Sequence, residues 1–172
     1  MTLTSGGQRA QTIHSTRVSD IKILDNKVVI PIMSPIKQTK PTKHMAPLCF
    51  QIYNKESMRC VVTHLTEYLK RTKSYRDTDK LFLTCIKPYR AASKDTLYRW
   101  CKSIIKESGI SIHSYTSHSS RAAASSYAKC RGASLSTIIQ SAGWKSERTF
   151  AQFYEKQIEE EVEFHNYLLQ GN

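Results

Sequence analysis

The chain has 172 residues, 40% hydrophobic and 23% charged, enough for a single domain over residues 1–172 with a buried core. Its 26 lysines and arginines against 14 aspartates and glutamates give a formal net charge of +12, which favours an anionic partner: nucleic acid first, an anionic membrane surface second. No apolar run approaches the roughly 20 residues that span a bilayer, and the opening Met1-Thr2-Leu3-Thr4-Ser5-Gly6-Gly7 lacks the charged-then-apolar layout of a signal peptide.

The first expected element is a short helix over residues 8–18, behind the Gly6-Gly7 turn. Residues 21–24 and 27–33 read as strands joined at Asp25-Asn26, a pair suited to a tight hairpin. A loop rich in Lys and Pro follows at 34–42, then a third strand at 45–51, so a three-stranded antiparallel sheet is expected. Residues 57–70 carry Met58, Val61, Val62, Leu65 and Leu69 at helical spacing. Leu81-Phe82-Leu83 reads as a strand or a buried connection. A helix over 93–106 opens on a Ser93 cap and gathers Leu97, Trp100, Cys101, Ile104 and Ile105 on one side.

Ser117 is expected to cap a helix over 118–130, whose run Ala122-Ala123-Ala124-Ser125-Ser126 suits close helix packing. Residues 134–142 form a helix stopped by Gly143, and Ser146 caps the helix that carries Tyr154. A last apolar-faced segment covers 162–169. The fold class is therefore α+β, mainly helical with a small three-stranded antiparallel sheet.

The five cysteines, Cys49, Cys60, Cys85, Cys101 and Cys130, are odd in number and free of any C-x-x-C pair, which points to reduced thiols in an intracellular compartment. Cys49, Cys60 and His64 have the wrong spacing for a zinc site, and no metal is expected.

His118-Ser119-Ser120-Arg121 places a proton-transfer group and a guanidinium fork one turn apart on one helical face. Arg9 and Arg121 can clamp the non-bridging oxygens of one phosphate. His118, near a helix N-terminus, can accept a proton or hold a phosphate oxygen. Trp144 can donate its indole N–H while its ring packs the site. Tyr154, ten residues after Trp144, can supply an attacking oxygen once its proton is removed or the phosphate is polarised. Lys37 and Lys40 lie on the basic loop between the second and third strands and can reach a DNA groove. Each residue also has a plainer reading: a solvated Arg9, a helix-capping His118, and a core stripe of Phe150, Phe153 and Tyr154 with Trp144.

Taken as an ordered set, these motifs resemble the catalytic domain of a tyrosine recombinase, or integrase. Gly7-Gln8-Arg9-Ala10-Gln11-Thr12 corresponds to the first catalytic arginine, Lys37 (or Lys40) to the hairpin lysine, and His118-Ser119-Ser120-Arg121 to the His-x-x-Arg box. Trp144 takes the His/Trp position and Tyr154 that of the nucleophile. In wording the motifs are most similar to recombinases of DIRS-type retrotransposons. Thr12 departs from the acidic residue many members carry three places after the first arginine. The family's separate upstream helical domain has no counterpart before Arg9, so the chain is expected to be a fragment or a truncated copy.

The resemblance implies DNA strand cleavage and rejoining through a 3′-phosphotyrosine, with no metal and no nucleotide cofactor. It also implies double-stranded DNA as partner, contacts from Lys37, Lys40, Lys43 and Lys145, self-association on DNA as a dimer or tetramer, no membrane, and the nucleus as location. The acidic tail (Glu159, Glu160, Glu161, Glu163) with Val162, Phe164, Leu168 and Leu169 is expected to form a docking segment over 158–172. Three other readings stand beside the enzyme: a catalytically silent DNA-binding or domesticated protein, a type IB topoisomerase, and an anionic-membrane or protein-interaction module.

Overall fold

The computed structural model describes residues 8–33, 46–55, 57–113, 115, 117–144 and 146–153, with backbone alone at 117, 118 and 153. Helix α1 spans Ala10–Ser15, with Arg9 extended at its N-cap (φ −80°, ψ 149°). It is shorter than the expected 8–18, and the reason is long-range pairing. Leu81 N–H donates to Thr16 O at 3.1 Å and Val18 N–H to Asp79 O at 2.8 Å. Arg17 bridges Lys80 in antiparallel fashion. The Asp79 carboxylate accepts from Ser19 N–H (2.9 Å) and Ser19 Oγ (2.7 Å), and these bonds hold its pKa below the usual carboxylate value. Backbone groups that would have continued the helix are satisfied across the chain instead.

The sheet is β1 (Lys22–Leu24), β2 (Lys27–Ile30) and β3 (Leu48–Gln51), in that order and antiparallel throughout. Leu24 opposite Lys27 closes the hairpin around Asp25-Asn26, as the sequence indicates. Val28 and Ile30 point into the core while Lys27 and Val29 are half-exposed, the period-two pattern of a strand. β2 and β3 are shorter than the expected 27–33 and 45–51. The ladder ends at Ile30 opposite Leu48, and Pro31 and Pro47 stand just beyond that pair, each lacking an N–H to donate.

The next helix does not begin at Ser57. Ser57–Arg59 is one 3₁₀ turn, Cys60 is extended (φ −77°, ψ 107°), and α2 runs Val61–Thr72. Cys60 Sγ accepts the Tyr53 N–H at 3.3 Å, tying the residue to the end of the sheet. Hydrogen bonds from Thr63 and Tyr53 bring the Cys60 thiol down to about 7. Met58 therefore leaves the apolar face expected for it and is 77% exposed. Val62 and Leu65 do face the core, against Val28, Ile30, Leu48 and Leu81.

Past α2, Arg76 clamps two segments: its guanidinium donates to Lys80 O (2.5 Å), Leu81 O (3.1 Å) and Thr72 Oγ1 (2.8 Å). Leu81-Phe82-Leu83 is a buried connection rather than a named strand; it is held by a Leu83–Ala91 bridge and by Ala92 N–H to Phe82 O at 2.8 Å.

The remaining helices follow the sequence closely. α3 (Lys94–Glu107) opens on Ser93, whose side chain accepts from Thr96 N–H, and its Leu97 packs with Ile13 of α1 and Ala92. α4 spans Ser117–Cys130, so Ser117 is its first residue rather than its cap. α5 (Leu135–Ala142) is capped by Ser134 and ended by Gly143 in the left-handed region (φ 62°, ψ 45°). α6 (Glu147–Phe153) follows Ser146, whose Oγ accepts from Thr149 N–H at 3.3 Å. Ala122, Ser125 and Ser126 of α4 are buried, as close helix packing requires, and Ile138, Ala142, Trp144 and Phe150 form a second core. The architecture is the mainly helical α+β fold with a three-stranded antiparallel sheet. No helix among the described residues is long and apolar enough to cross a membrane.

Candidate active site

The site is built at the C-terminal end of α5. A helix leaves its last carbonyls without intrahelical partners, and here the partners can be named one by one. Trp144 N–H donates to Ile139 O (3.0 Å) and Gly143 N–H to Gln140 O (3.3 Å), the tight closure that a left-handed Gly143 permits. The next three carbonyls receive side chains from elsewhere. Gln8 Nε2 donates to Ser141 O, Arg121 Nη2 to Ala142 O at 2.5 Å, and Arg9 Nη1 to Gly143 O at 3.4 Å. Two guanidinium groups, far apart in sequence, thus meet consecutive carbonyls. The negative end of the α5 dipole favours both.

Arg121 is 3% exposed, and its guanidinium carbon lies 4.0 Å from the centroid of the Trp144 ring. Stacking on an aromatic face suits a planar, weakly hydrated cation removed from water. The Trp144 ring is held in turn by Phe150, edge to face at 6.2 Å between centroids and 67° between planes. Phe150 is fully buried and belongs to α6, the helix whose last described residue, Phe153, immediately precedes Tyr154 in the sequence. The same indole therefore locates Arg121 and anchors the segment leading to position 154.

Of the residues singled out in the sequence, the fold brings Arg9, Arg121 and Trp144 together. Arg9 is not a solvated helix residue; it is a half-buried N-cap whose side chain reaches α5. Thr12, where an acidic partner for Arg9 is missing, is buried and accepts Ser15 Oγ on its carbonyl at 2.7 Å. Part of the hold on Arg9 comes from Gly143 O instead. His118 is the second residue of α4, one turn before Arg121, and its imidazole lies outside the described side chains. Lys37, Lys40, Lys43, Lys145, Tyr154 and the segment 158–172 lie outside the described residues.

Sequence reasoning missed Gln8 and the three carbonyls of 141–143. Gln8 carries a faint signal, its place beside Arg9. Backbone carbonyls carry none, apart from the Gly143 stop that leaves them exposed to side-chain donors. Among the described residues no group of three or more His, Cys, Asp or Glu side chains is placed to hold a metal ion. Cys60 and His64 are engaged with backbone: Cys60 with Tyr53 N–H, and His64 Nε2 with Met58 O at 3.0 Å.

The profile of the phage integrase family matches residues 1–161. The chain belongs to the phage integrase family. Among solved structures, the crystal structure of XerA recombinase is similar over 99% of this chain and 56% of its own, with a TM-score of 0.67 at 18% identity. XerH site-specific recombinase bound to its difH substrate, in a pre-cleavage complex, gives a TM-score of 0.66 at 17% identity over 92% of this chain and 41% of that one. A post-cleavage complex of XerH on palindromic difH substrate gives 0.64 at 18% identity, over 86% of this chain and 38% of that one. At these identities the likeness is one of fold, and this integrase-family chain spans about half the length of those recombinases or less. No curated protein matches the chain.

Proposed function

We propose that this chain is the catalytic part of a site-specific tyrosine recombinase acting on double-stranded DNA. The observation that carries the reading is the convergence of Arg9 and Arg121 on the adjacent carbonyls of Gly143 and Ala142, with Trp144 stacked on Arg121. Two guanidinium groups at one point, in a chain of net charge +12, suit a phosphodiester whose charge builds up in a pentacovalent transition state. The XerH structures, which contain DNA substrate, support the choice of ligand.

In this scheme the Tyr154 oxygen attacks the scissile phosphorus. The tyrosine proton passes to His118, the P–O5′ bond breaks, and Lys37, or Lys40 in its place, protonates the departing 5′-oxygen. The products are a 3′-phosphotyrosyl protein and a free 5′-hydroxyl. A second 5′-hydroxyl then attacks the phosphotyrosine, restoring the phosphodiester and releasing Tyr154. The ester energy is kept throughout, so the scheme calls for no metal or nucleotide cofactor. Arg9, Arg121 and Trp144 hold the phosphate, while Lys43 and Lys145 meet flanking phosphates. The acidic tail over 158–172 docks on a neighbouring protomer in a dimer or tetramer on DNA. The likeness of motifs to DIRS-type elements makes a mobile element the source and the nucleus the place of action.

The test is covalent capture. Duplex DNA of mixed sequence, nicked so that a short 5′-hydroxyl fragment diffuses away, is incubated without metal with wild type and Tyr154→Phe. A protein–DNA band on a denaturing gel, absent in the variant, supports the reading. Duplex binding in both with no covalent band would leave a DNA-binding module in its place.

A further inference from the structure

The two arginines are not held alike. Arg121 is 3% exposed, makes a 2.5 Å bond and is stacked on an indole. Arg9 is half-buried and makes a 3.4 Å bond to Gly143 O, at the outer edge of hydrogen-bonding distance. It projects from an extended N-cap. The position of the Arg9 guanidinium is thus coupled to what pins the chain next to it. One neighbour is firmly pinned: Gln8 is 6% exposed and donates its amide to Ser141 O, two residues before the carbonyl that Arg9 meets. A glutamine brought into the interior needs its amide hydrogen-bonded, and here the acceptor is the third carbonyl of the same helix end.

We infer that Gln8 is a positioning residue: its amide, anchored on Ser141 O, sets the place of the Arg9 guanidinium relative to Arg121 and thus the geometry with which both meet one phosphate. The inference deepens the recombinase reading and rests on it. A guanidinium carries five donors, so it can keep a carbonyl and still grip a phosphate. Gln8 itself touches no reacting atom. Its loss acts on the alignment of Arg9, and misalignment of about 1 Å at a reacting centre is enough to slow a reaction about 100-fold.

The test uses Gln8→Glu and Gln8→Ala in the full chain. Gln8→Glu keeps the volume but turns the donor into an acceptor facing a carbonyl. At saturating nicked duplex and pH 7.5, covalent complex formation should slow about 10- to 100-fold, with DNA affinity and its salt dependence within about twofold of wild type. At pH 5.5 the rate of Gln8→Glu relative to wild type should rise, because a carboxyl facing a carbonyl in a buried site has a raised pKa and, once protonated, donates again. Gln8→Ala should show no such recovery. Wild-type rates in both variants would overturn the inference, and so would a rate loss that merely follows a loss of melting temperature or DNA affinity. A second readout stands apart from catalysis: the guanidinium ¹⁵N–¹H signals of Arg9, assigned with Arg9→Lys, should move in Gln8→Glu while those of Arg121 stay in place. If wild type forms no covalent complex, the recombinase reading has failed, and unmoved Arg9 signals would then refute Gln8 as well.

Discussion

If the Arg121–Trp144 stack organises the site, removing either partner should cost less once the other has gone. The perturbation is a double-mutant cycle of Arg121→Met and Trp144→Leu, both keeping the interior apolar. Trp144 is 6% exposed and packed on Phe150, so its truncation alone should destabilise the fold by about 2–4 kcal/mol. Arg121→Met removes the 2.5 Å bond to Ala142 O, a charge-assisted interaction whose loss is worth about 1.5–3 kcal/mol. Relief of guanidinium desolvation offsets part of that. The coupling isolates the cation over the ring: at 4.0 Å and almost out of solvent it should be about 1–2 kcal/mol. Urea unfolding followed by circular dichroism reads all four corners. A coupling below about 0.3 kcal/mol, the level at which independent sites add, would mean that the guanidinium does not rest on the indole in solution.

Three further outcomes follow from particular contacts. Arg76→Met should destabilise by about 2–4 kcal/mol in urea, because the Lys80 and Leu81 carbonyls lose their shared donor. Gly143→Ala should cost about 1–2 kcal/mol, the penalty for a side chain at φ 62°, and lower the melting temperature by about 2–8 °C in a calorimeter. His14 is held below its ordinary pKa by burial and then by Lys80 and Lys94, so the fold disfavours its protonation. Its contribution is full above the unfolded value of about 6.5 and is lost as pH falls through that value toward the depressed folded one. The fall in melting temperature between about pH 7.5 and 5 should be smaller in His14→Gln than in wild type.

The parts of the fold legible in the sequence are those decided locally. Ser93 and Ser146 each cap the helix they precede, Gly143 ends α5, and Asp25-Asn26 turns the hairpin. Each of these is a short-range steric or hydrogen-bonding preference. Two helix boundaries are misread because groups elsewhere in the chain decide them. α1 stops where residues 16–18 pair with 79–81, and α2 starts late because Cys60 Sγ takes the Tyr53 N–H. Pro31 and Pro47 did carry a local signal for the strand ends, and the longer strands expected overlooked it. The same division runs through the site. Arg9, Arg121 and Trp144 stand out by residue type and order, and the fold brings them together. Gln8 and the carbonyls of Ser141, Ala142 and Gly143, which receive those side chains, become visible only once the end of α5 is placed against α4 and the residues that lead into α1.

The central claim is that a tyrosine at one position attacks DNA, and the direct measurement is the identity of the modified residue. Covalent complex trapped on nicked duplex would be digested with nuclease and protease, and the peptides sequenced by tandem mass spectrometry. Among the chain's nine tyrosines, Tyr154 alone should carry a nucleotide, joined through its 3′-phosphate. A nucleotide on any other residue, or joined through a 5′-phosphate, would contradict the account.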